Sequence, residues 1–294
     1  MKRRFSIPSW LKLLLKLVLT ALCFWYISKK IDWSESFKTI AKTNFGWLIT
    51  SLIFFSASKF IAAFRLNIYF KNIQLILKEK NNLRLYWLGM FYNLFLPGGI
   101  GGDAYKVVLL NKRFPQNVKL LSGAVFLDRI SGIAGLGVLG AIYFAIVFGL
   151  QAVPVLVLIS VIPAFLIYYW IVKKYFPSFL AGFYPAFWMG LAVQFLQVIA
   201  VYCLLEGLYL NEHYSEYILI FLVSSIVAVL PFTIGGLGAR ELVFLWGSTE
   251  FALNKSESIA ISLLFYLMNL VVSFIGILWV FRDPLADEET LSPK

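Results

Sequence analysis

Two short stretches bring glycines, a proline, cations and carboxylates together in an otherwise apolar chain. One reads Leu96-Pro97-Gly98-Gly99-Ile100-Gly101-Gly102-Asp103-Ala104-Tyr105-Lys106. The other reads Leu230-Pro231-Phe232-Thr233-Ile234-Gly235-Gly236-Leu237-Gly238-Ala239-Arg240-Glu241. Both contain L-P-x-x-I-G-G, 134 residues apart, and both set a cation shortly after the glycines. The chemistry this suits is anion binding. Pro97 and Pro231 each end a half-helix by removing a backbone donor. Gly98, Gly101, Gly102, Gly235, Gly236 and Gly238 let the chain turn and leave N–H groups uncovered. The helix that starts next adds its positive dipole end, which favours phosphate or carboxylate.

The neighbouring charges sharpen this. Asp103 is expected to cap the second half-helix, with Lys106 in the same first turn. Arg240 follows Gly238 at a helix start, where a cation opposes the dipole. That misplacement points to a bound anion; the alternative is neutralisation by Glu241 or Asp103. Asp128 and Arg129 sit early in a long apolar run, where a charge costs roughly 2.5–3.5 kcal/mol at mid-membrane. Snorkelling of Arg129 to the headgroups is the plain alternative. Lys59 and Glu206 are isolated in sequence and are expected at interfaces or in local pairs. Gln194 and Gln197 share a helix face by i,i+3 spacing, and helix–helix hydrogen bonding is their expected use.

The elements that must hold these residues follow from composition. The chain has 294 residues, 61% hydrophobic and only 14% charged. No water-soluble fold hides that much apolar surface, so a soluble enzyme is excluded, and so is disorder. One histidine, His213, and two cysteines, Cys23 and Cys203, are too few for a zinc enzyme. No metal site and no cofactor are expected, although a carboxylate-only metal site stays open. No P-loop and no G-x-S-x-G elbow occurs.

Apolar runs fall at 10–28, 46–64, 85–96, 124–148, 153–172, 186–210, 217–231 and 258–281. The runs 85–96 and 217–231 are short for a span of about 20 residues. Each ends at Pro and Gly and is followed by a second short piece, 104–110 and 239–246. The expected fold is an all-α polytopic membrane protein forming a single domain over 1–294. About six full transmembrane helices would be joined by two re-entrant hairpins, 85–112 and 217–250. Three spans between the hairpins make them an inverted repeat, an arrangement used by transporters. Run 10–28 is expected to be an uncleaved anchor, because Leu22-Cys23-Phe24-Trp25-Tyr26 is too bulky for a cleavage site. Fifteen of the 26 basic residues then lie on one side and five on the other. The positive-inside rule predicts both termini cytoplasmic. The segment Arg65–Arg84 is expected as an amphipathic helix on anionic lipid. Nucleic acid is not an expected partner.

The motifs resemble those of the lysylphosphatidylglycerol synthase transmembrane, or flippase-like, family. Asn93-Leu94-Phe95-Leu96-Pro97 with Gly101 to Lys106 looks like its first motif, Asp128-Arg129 like its charged pair, and Pro231 with Gly235 to Glu241 like its second motif. The resemblance implies a bacterial or archaeal plasma-membrane protein that handles lipids. In two-part members the membrane region moves aminoacylated phosphatidylglycerol, and a separate cytosolic domain makes it. This sequence ends at Lys294, so that synthase domain is expected to be absent. Lys106 stands where the family usually has Arg.

The resulting expectation is a lipid translocase whose headgroup contacts come from Lys106, Arg240, Asp103, Glu241, Asp128, Arg129, Asn93 and Tyr105. The expected partner is a membrane lipid with an anionic phosphate. Two alternatives stay open: a membrane-embedded lipid-modifying transferase, and a non-catalytic partner in envelope lipid synthesis. Association with a second copy or with a lipid-synthesis enzyme also stays open.

Overall fold

The computed structural model describes residues 32–95, 100–229 and 237–288, with Val18, Trp25, Tyr26, Ser28 and Lys29 besides. Every element among them is helical. In chain order these are α1 (Trp33–Ala41), α2 (Phe45–Asn72), α3 (Glu79–Phe95), α4 (Gly101–Arg113), α5 (Val118–Phe148), α6 (Ala152–Tyr175), α7 (Phe183–Gly207), α8 (Tyr214–Val229), α9 (Ala239–Glu250) and α10 (Lys255–Phe274). Short 3-10 turns precede α7 at Pro177–Gly182 and follow α10 at Ile275–Trp279. The expected anchor at 10–28 falls almost wholly outside the described residues. So do Pro97, Gly98, Pro231, Gly235 and Gly236.

Five helical stretches are long and apolar enough to cross a membrane: Phe45–Asn72, Val118–Phe148, Ala152–Tyr175, Pro177–Gly207 and Lys255–Trp279. They coincide with five of the six expected spans, and the protein is an all-α polytopic membrane protein. Their starts are written in the sequence. Asn44, Asn117 and Asn254 each stand just before a long helix, and each side-chain oxygen accepts from the first-turn N–H groups. That satisfies donors which no helical carbonyl can reach.

The segment Arg65–Arg84 is not one surface helix. α2 continues through Arg65 to Asn72, the chain turns over 73–78, and α3 begins at Glu79. Arg65, Asn67, Asn81 and Asn82 are buried. Asn82 donates to the carbonyl of Ala63 at 2.7 Å, and Asn67 to that of Leu77 at 3.3 Å. A solvated face would not bury these groups. Here they satisfy the backbone of a tight connection between helices.

α2 and α7 form the most extensive helix pair, and α5 packs on both. Small residues set the α5–α7 approach: a Cβ on Gly190 would lie 2.4 Å from the Ser131 carbonyl oxygen. α6 packs on α5 and, through Phe165, Tyr168 and Tyr169, on Phe183, yet only 6% of its apolar window is buried.

The two helical hairpins sit at opposite ends of this frame. Hairpin α3–α4 starts and finishes against the same tail. Lys78 and Arg84 contact Asp287, and Arg113 reaches Asp283 and the Glu288 carbonyl. The end of α2 is here too: Lys71 pairs with Glu79, and Asn72 donates to the Phe179 carbonyl. Hairpin α8–α9 starts and finishes at the other end of α2. The Asn44 N–H donates to the Gly207 carbonyl at 2.8 Å, and Tyr217 donates to Glu257, beside the 251–254 turn. Each hairpin has its own apolar core. Leu66, Phe70, Leu85, Leu110 and Phe183 pack around the first, and Phe55, Leu204, Phe221, Phe244 and Phe265 around the second.

Candidate functional site

The first hairpin is closed by its glycines and then by its charges. A Cβ on Gly102 would lie 1.8 Å from the Gly89 carbonyl oxygen, so only glycine lets α4 touch α3 there. Asn93 on α3 accepts the Gly102 N–H at 2.8 Å. That bond satisfies one donor of the α4 start from across the hairpin. Asp103 is therefore not the cap. α4 begins at Gly101, and Ile100 before it has no side-chain group to cap it. The Asp103 carboxylate instead takes two cations. Lys106 donates to one oxygen at 2.9 Å, and Arg129 of α5 donates through Nε to the other. Arg129 thus turns inward to Asp103 rather than snorkelling. Tyr86 closes over Lys106, whose ammonium stands 4.9 Å from the ring centroid. Tyr105 packs its ring on Tyr92 at 4.4 Å.

Asp128 and Arg129 are neighbours in sequence but serve different partners. Asp128 accepts from Arg65 Nε at 2.7 Å in a buried pair joining α5 to α2. Consecutive helix residues point about 100° apart, so one can face α2 while the next faces α4. Gln194 and Gln197 behave as read from their spacing: Gln194 donates to the Gly132 carbonyl at 3.1 Å, and Gln197 lies 3.5 Å from Ser58 Oγ. Glu206 accepts from Tyr214 at 2.9 Å, a local pairing.

The second hairpin uses its carboxylate differently. Gly238 has φ +85°, a left-handed conformation that suits glycine, and α9 starts immediately after it. Glu241 is fully buried. One oxygen accepts the Gly238 N–H at 2.6 Å, and the other accepts from Ser262 on α10 at 2.9 Å. Glu241 is thus a cap and a tie to α10, and it forms no ion pair with Arg240. Among the described residues, the hydrogen-bond contact of Arg240 is a long one to Ser225 Oγ, at 3.5 Å. Its guanidinium lies over Phe265 and Phe221, 4.8 and 5.6 Å from the ring centroids.

Lys59 completes the site, although its isolation in sequence suggested an interface. It stands at the centre of α2, with about 20 Å of helix on either side at 1.5 Å per residue. A lysine side chain cannot snorkel that far. Its ammonium lies 4.3 Å from the Phe55 ring centroid, and Phe55 meets Phe265 edge-on. Two cations, Lys59 and Arg240, thus flank one cluster of phenylalanines. Among the described residues, neither forms an ion pair with a carboxylate. Lys59 opens on a polar cavity of about 230 Å³, lined also by Tyr86, Met90, Asn93, Leu94, Ala228, Asn269 and Ser273. This cavity lies between the inner ends of α3 and α8, where the two hairpins approach each other.

Of the expected site residues, Asp103, Lys106 and Arg129 come together as one ion-paired cluster, while Asp128 goes to Arg65. Asn93 both caps α4 and lines the cavity. Glu241 is committed to the fold, which leaves Arg240, like Lys59, without a carboxylate partner among the described residues. Lys59, Arg65, Asn269 and Ser273 were not expected there. A signal existed for Lys59: Ser56-Ala57-Ser58-Lys59 is a small, polar run in the middle of a span. Asn269 and Ser273 are four apart on α10, one helix face.

The family model described as lysylphosphatidylglycerol synthase TM region matches residues 13–276. No curated protein matches the chain.

Proposed function

The chain belongs to the lysylphosphatidylglycerol synthase TM family, and on that premise we propose that it moves a lipid with an anionic phosphate between the two leaflets. The carrying observation is the pair Lys59 and Arg240, half-buried cations without a carboxylate partner among the described residues, with Lys59 lining a polar cavity. Intramembrane charges that the fold does not neutralise are functional by default. A phosphate would supply the missing counter-charge. Lys59 and Arg240 hold it by charge, and Asn93, Asn269 and Ser273 offer neutral hydrogen bonds. The acyl chains stay in the bilayer.

In this reading α3–α4 and α8–α9 are re-entrant hairpins that enter from opposite faces and meet near the midplane. The end bearing Lys71, Arg84 and Arg113 faces the cytoplasm of the plasma membrane, by the positive-inside rule. Among the described glycines of the two motifs, the Gly102 donor is taken by Asn93 and the Gly238 donor by Glu241.

The test is lipid flip in proteoliposomes, with the parent compared to Lys59→Gln and Arg240→Gln. A charged hydrogen bond is worth about 1.5–3 kcal/mol, so each variant should lose roughly tenfold or more in rate. Parent rates in both would overturn the site. A covalently altered lipid recovered from the parent would favour the transferase reading instead.

A further inference from the structure

A second cleft, which shares no lining residue with the polar cavity, also lies along α3. It is about 490 Å³ and is lined by Phe60, Leu83, Trp87, Ile275 and Trp279, with Lys80, Arg84 and Arg282 at one end. The sequence builds it from two matching stripes. On α3, Lys80, Leu83, Arg84 and Trp87 recur at i, i+3, i+4 and i+7, one helix face. On the segment after α10, Ile275, Trp279 and Arg282 recur at i, i+4 and i+7. The first stripe starts with its cations, and the second ends with its own. Packed antiparallel, they put apolar walls together and all three cations at the same end. The packing is close: a Cβ on Gly276 would lie 2.2 Å from the Trp87 carbonyl oxygen.

We propose that this cleft binds one anionic phospholipid, with an acyl chain along the apolar wall and the phosphate between Lys80, Arg84 and Arg282. Three observations carry it. The first is charge complementarity. Asp287 is the only carboxylate paired with these cations among the described residues, at 3.0 Å from Arg84 and 3.6 Å from Lys80. Arg282 has no carboxylate partner among them. The second is Trp87. It is 95% buried (relative exposure 5%), it lines the cleft, and its indole N–H has no hydrogen-bond partner. A buried donor left unpaired is costly, and a lipid phosphate or ester oxygen would satisfy it. The third is position. The cations lie at the end of the bundle that gathers Lys71, Lys78 and Arg113, the level at which basic pockets between membrane helices take anionic headgroups. A phosphate source other than lipid would leave the apolar wall unused.

The site is independent of the translocation reading, since it shares no side chain with Lys59 or Arg240. The test uses the purified full chain and two probes, phosphatidylglycerol and phosphatidylcholine. Binding is counted by native mass spectrometry and by tryptophan quenching with chain-brominated versions. The parent should bind one phosphatidylglycerol at least about tenfold more tightly than phosphatidylcholine. Lys80→Gln with Arg282→Gln should remove that preference. These residues are exposed, so the fold should hold, with an unchanged unfolding midpoint as control. Ile275→Trp should block the wall and weaken both lipids; if it fails to fold, the charge variant still decides. Arg240→Gln should leave this binding unchanged while it slows flip. Equal affinity for both lipids, or an unaltered preference in the charge variant, means annular lipid only and overturns the proposal. Displacement of the lipid by millimolar inorganic phosphate would also overturn it.

Discussion

The two hairpins carry the same glycine motif, yet they treat their cations in opposite ways. Lys106 and Arg240 occupy equivalent places, 134 residues apart. In the first hairpin the residue three before the cation is Asp103, and one helical turn brings its carboxylate onto Lys106 at 2.9 Å. In the second, the same place is Leu237. The nearby acid is Glu241, one residue after the cation, and adjacent helix residues do not face each other. Glu241 points to Gly238 and Ser262, and Arg240 is left with aromatic rings. Moving a carboxylate by four places along the motif thus separates an ion-paired structural cluster from a cation without a carboxylate partner among the described residues.

The largest expected effect tests the closed side. Asp103→Asn removes the charge that Lys106 and Arg129 share, and Asp128→Asn does the same to Arg65. Breaking a buried pair costs about 3–5 kcal/mol, because the partner stays buried and unpaired. Each variant should lower the unfolding midpoint in detergent by roughly 10 °C. Arg240→Gln should change stability by no more than about 1 kcal/mol, since only cation–π contacts are lost. Equal losses in the two hairpins would erase the distinction drawn between them.

Apolar run lengths were enough to read the helical spans, because membrane thickness dictates them. The repeat was legible because proline and glycine act locally. Partnerships were not. Arg65 meets Asp128 across 63 positions, and Arg129 meets Asp103 across 26. Spacing within one helix says nothing about which neighbour packs against it. For the same reason Asp103 read as a cap and Arg65 as a surface cation. Lys59 was legible only through the small, polar run around it in mid-span, because its lack of a carboxylate partner among the described residues has no sequence signature.

The middle-sized effect converts one hairpin into the other. Leu237→Asp puts an acid three residues before Arg240, as Asp103 stands before Lys106. The side chain at 237 is half-buried, so it can host a charge more easily than a sealed core position. The new carboxylate should pair with Arg240 and withdraw it from any phosphate. Flip in proteoliposomes should fall about tenfold, matching Arg240→Gln, while the protein still folds. Restoration by a compensating Arg240→Gln would not occur, because under the proposed function the cation itself holds the phosphate. An unchanged flip rate in Leu237→Asp would show that Arg240 is not the phosphate ligand.

The smallest effect asks whether Glu241 belongs to the fold or to the site. Glu241→Gln keeps an oxygen that can accept from Gly238 or Ser262 and removes the negative charge. If the carboxylate serves only as cap and tie, the cost is that of weakening one charge-assisted hydrogen bond, about 1 kcal/mol. The unfolding midpoint should drop by roughly 2–4 °C. Flip should stay within about twofold of the parent. Were Glu241 the counter-ion of Arg240, neutralising it would strengthen phosphate binding and slow release. Flip measured at rising lipid concentration would then saturate earlier. The geometry excludes a direct ion pair, so the expected outcome is a small loss of stability with the saturation curve unmoved.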